Sequence, residues 1–233
     1  MRFRSDQIQK IGKEISSKVD GKTLFDEFSR GRYSTDASVY QIKPLGVVLP
    51  KDTNDVLNLM EYSQKNSIPL LARGGGSSQC GQTVGESVVL DYSKHQNKIL
   101  ELNVEEKYIW VQPGVVLDHL NSFLRPYGLW FPVDVSTSSR ATIGGMSANN
   151  SCGSRSLYYG NMVHNVLAIE AILDDGSLHT FDQINKNYLT TTNNQDRFYK
   201  IIDKFLNLRQ KVSKDIDENW PTTQRRVGGY NID

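Results

Sequence analysis

Ile68-Pro69-Leu70-Leu71-Ala72-Arg73-Gly74-Gly75-Gly76-Ser77-Ser78 runs from a short apolar stretch that reads as a buried strand directly into three consecutive glycines. Glycine lacks a Cβ, so such a run lets the backbone take positive φ and turn its N–H groups toward an anion at close range. The junction therefore predicts a phosphate-holding loop at the end of a strand. Two common versions fail on counting. Gly76-Ser77-Ser78-Gln79-Cys80-Gly81-Gln82-Thr83 has the glycine spacing of a Walker A loop, but Gln82 stands where the phosphate-binding lysine belongs. A dinucleotide fingerprint needs a glycine three residues after Gly76 and an acid about 20 residues further on, and Gln79 and Gln96 stand there instead. The plain alternative is a tight turn between strands.

Working outward, Gly46-Val47-Val48-Leu49-Pro50 reads as a strand. A helix follows, capped by Asp52 or Thr53, with Asp55 in its first turn and Val56, Leu59, Met60 and Ser63 on one face. Ser87-Val88-Val89-Leu90-Asp91 gives a third strand, so residues 40–95 read as a small α/β lobe. Upstream, Ile8, Ile11, Ile15 and Val19 repeat at helical spacing behind Asp6 as cap, making residues 1–39 an amphipathic helix and arm. Downstream, residues 99–104 and 108–112 read as an antiparallel hairpin, and Leu117, Leu120, Phe123 or Leu124, and Tyr127 as a helix stopped by Gly128. Residues 166–173 and 178–181 form a second hairpin around Asp174-Asp175-Gly176-Ser177, and Phe198, Ile201, Ile202, Phe205 and Leu208 mark a further helix. Residues 96–218 are thus a second lobe, a mostly antiparallel sheet with flanking helices. The fold class is α+β, and residues 219–233 form a tail.

Composition narrows the function. Of the 233 residues 38% are hydrophobic, and 27 basic against 26 acidic side chains leave a charge of +1, so the chain folds and has no global field to gather nucleic acid. Nowhere does an apolar stretch approach the roughly 18 residues of a spanning helix, and Met1-Arg2-Phe3-Arg4-Ser5-Asp6 lacks the apolar core of a secretory signal. Cys80 and Cys152 build no disulfide framework and no metal-ligand spacing is present, so both read as reduced thiols of a cytoplasmic protein.

A second run, Thr142-Ile143-Gly144-Gly145-Met146-Ser147-Ala148-Asn149-Asn150-Ser151-Cys152-Gly153, offers hydroxyls, amides and three more glycines, more backbone access than a turn requires. Glycine-rich walls in each lobe call for an elongated ligand lying between them, and FAD has that length.

Tyr33-Ser34-Thr35-Asp36-Ala37-Ser38-Val39-Tyr40, the loop Arg73 to Ser78 with Gly81-Gln82, and Val89-Leu90-Asp91 resemble the FAD domain of the vanillyl-alcohol oxidase and p-cresol methylhydroxylase flavoproteins. Gln112-Pro113-Gly114-Val115, Phe131-Pro132-Val133-Asp134, Thr142-Ile143-Gly144-Gly145, Tyr159-Gly160 and residues 166–170 resemble its D-lactate dehydrogenase and glycolate oxidase branch. The match is specific as an ordered set over about residues 30–233. The resemblance implies a flavin between two α+β lobes. It makes Arg73, Gly74, Gly75, Gly76, Ser77 and Ser78 the pyrophosphate loop, closed by Gly81 and Gln82, with Arg73 as its one side-chain cation. Pro113, Gly114 and Val115 would bring backbone to the cofactor. Thr142, Gly144, Gly145, Ala148, Asn149 and Gly153 would line the second wall, and Val166 and Ile169 would meet the flavin. The positions that carry covalent flavin in the wider family hold Ser77 and Arg140 here, so FAD is expected to bind non-covalently.

In the complete enzyme, the resemblance implies hydride transfer from the α-carbon of a 2-hydroxy acid to flavin N5, with electrons leaving to a quinone, cytochrome or iron–sulfur acceptor. Members of the branch continue into a cap that binds the hydroxy acid and supplies catalytic histidines. The tail Arg225-Arg226-Val227-Gly228-Gly229-Tyr230-Asn231-Ile232-Asp233 resembles the junction before it, so the substrate half is expected to lie elsewhere. The competing reading is a non-catalytic flavin-binding or electron-relay module working with a separate chain. None of the four histidines, His95, His119, His164 and His179, has a catalytic partner visible in sequence; His119 and His179 read as surface or packing residues, while His164, after Tyr159-Gly160, is a candidate for cofactor contact. Arg140 and Arg155 flank the second wall, where a cation would stabilise reduced flavin or would simply be solvated. Cys80 and Cys152 read as small packing residues within the two loops.

Overall fold

The fold is that of a computed structural model, which describes residues 3–184, 197–223, 225–226 and 230–232. The first helix, α1 (Ser5–Ser16), starts earlier than a cap at Asp6 would allow: Arg4 is the cap residue, its N–H donating to Gln7 Oε1 at 2.8 Å. Asp6 lies in the first turn, where its charge meets the positive end of the helix dipole. Two short elements follow that lack a periodic signature, β1 (Lys22–Leu24) and α2 (Glu27–Arg32). Then come β2 (Gly46–Leu49), α3 (Thr53–Asn66), β3 (Leu70–Arg73) and β4 (Val88–Asp91). Asp52 caps α3, accepting from the N–H groups of Asn54 and Asp55.

These strands form one sheet in the order β1-β2-β4-β3, with β4 parallel to both β2 and β3 and β1 antiparallel at the edge. Alternate residues leave opposite faces of a strand, and both faces are covered. Val48, Val88 and Leu90 pack under Ile8, Ile11 and Ile15 of α1 and Val56, Leu59 and Tyr62 of α3. Val47, Leu49 and Val89 pack on the other side with Leu24, Tyr33 and Leu71. The carboxyl ends of β3 and β4 therefore stand on a rigid base, and the glycine loop leaves from one of them.

Beyond residue 98 lie β5 (Ile99–Asn103), β6 (Tyr108–Val111) and α4 (Leu117–Leu124), then a 3-10 turn at Arg125–Tyr127 that ends on Gly128 at φ +68°. Three short helices, α5 (Ile143–Ala148), α6 (Ser156–Tyr159) and α7 (Met162–Asn165), precede β7 (Ile169–Ile172) and β8 (Leu178–Phe181). The antiparallel part is divided among the described residues into two hairpins, β5-β6 and β7-β8. The second hairpin also reaches the first lobe, since Ile172 packs against the α1/α3 core and Gln64 of α3 donates to the Asp174 carbonyl. The helix expected around Phe198 is α8 (Arg197–Lys211), with Ile202 buried, and α9 (Ser213–Asn219) follows it. Of the tail, Gln224, Val227, Gly228, Gly229 and Asp233 lie outside the described residues. No helix among the described residues is long and apolar enough to cross a membrane.

Candidate functional site

The loop after β3 is built by sterics. Gly76 sits at φ +65° and Gly81 at φ +73°, left-handed conformations that favour glycine. A Cβ on Gly74 would lie 2.0 Å from Thr142 Oγ1, and one on Gly75 would lie 2.2 Å from the Arg140 carbonyl oxygen. The two glycine-rich walls therefore meet along a seam, rather than facing each other across a gap, and the glycines of the first are what lets them touch. Gln82 Nε2 bridges further along, donating to Asn149 Oδ1 at 3.0 Å, while Ser78 Oγ donates to Gln82 Oε1 at 2.7 Å.

Within the loop, the N–H groups of Gly74, Gly75, Gly76, Ser77 and Ser78 donate to no other described residue. Backbone donors left unpaired on a half-exposed loop, next to a left-handed glycine, are free to meet an anion. The Arg73 side chain folds the other way. Its guanidinium donates to the carbonyls of Thr35 at 2.9 Å, Thr83 at 3.3 Å and Tyr33 at 3.4 Å, and its Cζ lies 5.2 Å from the Tyr33 ring centroid.

The arm that supports this loop, residues 33–40, entered the sequence reading as a family motif with no role assigned to it. Ala37 N–H donates to the Gly76 carbonyl at 3.1 Å, and the Tyr40 ring packs where a Cβ on Gly81 would stand. Asp36 accepts from Ser38 N–H at 2.8 Å and from the Thr83 hydroxyl at 3.1 Å. Burial alone would raise the Asp36 carboxyl, but hydrogen bonds from Ser38 and then Thr83 outweigh it and hold the group below the usual carboxylate range. Tyr33 donates to Asp91 Oδ2 at 2.6 Å; burial, the hydrogen bond and the nearby negative charge all push its phenol up. The Asp36-x-Ser38 spacing of an Asx turn was the available signal for the arm.

The second wall holds a helix that the sequence reading left irregular. Thr142, 2% exposed, caps α5, its hydroxyl accepting from Gly145 N–H at 3.4 Å. Ile143 and Gly144 donate to the carbonyls of Val115 and Pro113 at 2.8 and 2.9 Å. Pro113, Gly114 and Val115 thus act as a strut behind α5, and Gly114 is pressed so closely on Tyr92 and Gln96 that a Cβ would meet the Tyr92 carbonyl at 2.1 Å. Gly145, Ala148 and Asn149 lie on the exposed side. Gly153 rests on Asp134, whose carboxylate accepts from the Ser154 hydroxyl at 2.8 Å and Arg155 N–H at 3.0 Å. Burial raises that carboxyl, and the Ser154 and Arg155 hydrogen bonds bring it below its ordinary value. Val166 packs into the core that backs α5, and Ile169 is 46% exposed on β7.

The other candidates are turned elsewhere. His164 Nδ1 accepts from Asn161 N–H at 3.0 Å, and the Arg155 guanidinium lies 5.1 Å from the Trp130 ring centroid. Arg140 is exposed beside the seam. Cys80 and Cys152 are free thiols. The tail returns to this wall, with Arg225 donating to the Gly153 carbonyl at 3.1 Å and Asn161 Nδ2 to the Arg226 carbonyl at 2.6 Å.

The sequence matches the model of the FAD binding domain family over residues 44–182, which takes in the glycine loop, the seam and both hairpins. The chain belongs to that family. The D-2-hydroxyglutarate dehydrogenase of Haemophilus influenzae is 42% identical over 65% of this chain and 15% of its own length. The Escherichia coli protein of the same name is 34% identical over 91% of this chain and 21% of its own, and glycolate oxidase subunit GlcD of Bacillus subtilis 34% over 73% and 37%. The chain thus spans well under half the length of these relatives. Among solved structures, Physcomitrella patens BBE-like 1 superposes with a TM-score of 0.65 at 20% identity, covering 76% of this chain and 39% of that one. The 6-hydroxy-D-nicotine oxidase of Arthrobacter nicotinovorans does so with a TM-score of 0.62 at 16% identity, covering 70% and 36%. Both share the fold. The residues of this FAD binding domain fit the cofactor: the unpaired amides after β3 suit a diphosphate, and the seam runs on from them past Gln82 and Asn149.

Proposed function

We propose that this chain is the FAD-binding portion of an FAD-dependent dehydrogenase of 2-hydroxy acids, of the D-2-hydroxyglutarate, D-lactate or glycolate kind. The observation that carries the binding half is the run of unpaired N–H groups from Gly74 to Ser78 along the seam with Thr142. These amides would hold the pyrophosphate oxygens as a fixed array of dipoles, at no cost of reorganisation when the anion arrives. Gly81 and Gln82 close the loop, Gly145, Ala148, Asn149 and Gly153 carry the second wall, and Val166 and Ile169 lie further toward β7. Bound non-covalently, FAD would supply the hydride acceptor for oxidation of the hydroxy acid. A quinone, cytochrome or iron–sulfur protein would take the electrons onward, in a cytoplasmic setting that the reduced Cys80 and Cys152 suit. The names and identities of the three relatives support the substrate class.

Acid extraction and chromatography of the cofactor from protein reconstituted with an FAD and FMN mixture tests the binding half. FAD alone is expected, and FMN or no flavin would overturn it. The flavin-loaded chain by itself is expected to stay oxidised when mixed with 2-hydroxy acids. Hydride abstraction needs a base at the α-hydroxyl and a clamp on the carboxylate, whereas His164 is turned to Asn161 and Arg155 to Trp130. Rapid, stereospecific bleaching by one acid would place the whole site within this chain.

A further inference from the structure

Arg73 opens the glycine loop, and a guanidinium beside a diphosphate is ordinarily read as its counter-ion. The geometry around it argues for a different task. Nη2 lies 2.5 Å from where a Cβ of Gly76 would be, so the group occupies the side-chain face of the loop. Among the described residues all its donations go to main-chain carbonyls, Tyr33 and Thr35 of the arm and Thr83 at the far end of the loop. Those segments are tied independently as well: Tyr33 to Asp91, Thr83 to Asp36, and Ala37 to the Gly76 carbonyl. Arg73 is the member that touches the arm and both ends of the loop. Its planar fork can serve several carbonyls at fixed angles, which the single ammonium of lysine cannot.

We propose that Arg73 is a positioning residue, whose guanidinium clamps the carbonyls of Tyr33, Thr35 and Thr83 and thereby sets the pitch of the Gly74–Ser78 amides without itself touching the pyrophosphate. The inference rests on the FAD-binding reading for its ligand, while the clamp itself is testable in the cofactor-free protein.

The experiment uses the whole chain as wild type, Arg73→Lys, Arg73→Gln and Arg73→Ala. Hydrogen exchange without flavin is expected to show faster exchange at residues 33–37 and 74–83 in all three variants; unchanged exchange there would overturn the clamp whatever the cofactor does. FAD titrations at several salt concentrations are the second arm. A cation that pairs directly with phosphate steepens the loss of affinity with salt, so removing it flattens that dependence. The expected result is a Kd raised about tenfold or more in each variant, with the wild-type salt dependence retained. A flattened dependence in Arg73→Gln, or full affinity in Arg73→Lys, would show direct pairing or mere charge and overturn the proposal. If the wild type binds no FAD, the functional reading fails, and the exchange experiment still decides the clamp. Should Arg73→Ala not fold, the Lys and Gln variants carry both arms.

Discussion

The Thr142 hydroxyl stands 2.0 Å from the position a Cβ would take on Gly74, so the first turn of α5 and the loop after β3 are in contact with no room for a methyl group. Gly74→Ala should therefore destabilise the protein by about 1–3 kcal/mol, as overpacking does. Thr142→Ala removes the clashing oxygen and leaves the Thr142 Cβ at 3.2 Å, so the double variant should recover part of the loss in urea unfolding. Additive losses would mean that the two walls do not touch in solution.

A second steric and polar knot lies at the same carboxyl end of the parallel strands, but on the β1/β2 side of the sheet. Asp55, 3% exposed, accepts from the N–H groups of Asp20 at 2.7 Å, Gly21 at 2.9 Å and Lys51 at 2.7 Å. Asp55→Ala would leave these donors without their acceptor, and Asp55→Asn would set an amide N–H against some of them. Each should cost about 2–4 kcal/mol in denaturant unfolding. A loss below about 0.5 kcal/mol in both would refute the knot.

Asp55 also shows where the sequence stops being legible. Its place in the first turn of a capped helix was readable, because capping and dipole effects are local. Its bonds to residues 20 and 21 were not, because nothing in the sequence marks which distant amides will face a carboxylate. The glycine loop divides the same way: positive φ at Gly76 follows from local chemistry, while the contact of Gly75 with the Arg140 carbonyl depends on how two lobes dock. Helix α5 escaped the periodicity reading because Met146 is its one buried residue, so no apolar stripe exists to be counted. The second wall was readable as a run of small polar residues and glycines, Pro113, Gly114, Val115, Val166 and Ile169 came from the family's ordered motifs, and the strut role of Pro113, Gly114 and Val115 became visible only with the fold.

Asp36 should give the arm a recognisable acid dependence. A carboxyl held below its ordinary value contributes stability that is fully present above the unfolded pKa, near 3.8, and is lost as the pH falls through the lower folded value. Asp36→Asn should thus be less stable than wild type at pH 7, and the gap should narrow below about pH 4. Urea midpoints at pH 7, 5 and 3.5 measure it. A gap that stays constant or widens toward acid would show that the Asp36 charge does not hold the arm.

Ser77 and Arg140 bear on cofactor attachment. Neither a serine hydroxyl nor a guanidinium offers the imidazole or thiolate used for covalent flavin linkage, so denaturation should release the flavin intact. Protein reconstituted with FAD, precipitated with acid and run on a denaturing gel, should leave all flavin fluorescence in the supernatant. Fluorescence travelling with the protein band would contradict this assignment.

Gln82 makes the last case, because it joins the two walls while exposed. Its amide donates to Asn149 Oδ1 at 3.0 Å and its carbonyl accepts from Ser78 at 2.7 Å, so it orders loop and wall relative to each other at their open rim. Exposed hydrogen bonds of this kind exchange readily with water and add little to global stability. Gln82→Ala should therefore leave the unfolding midpoint within about 0.5 kcal/mol of wild type. A ligand that must touch both walls feels their relative position, so FAD affinity should fall several-fold in the same variant, and Asn149→Ala should reproduce the fall without adding to it. Flavin fluorescence titration on the two single variants and the double variant separates the outcomes. Equal losses that do not add place the bridge in the cofactor site. An unchanged Kd for Gln82→Ala would mean that the amide pair only decorates the rim.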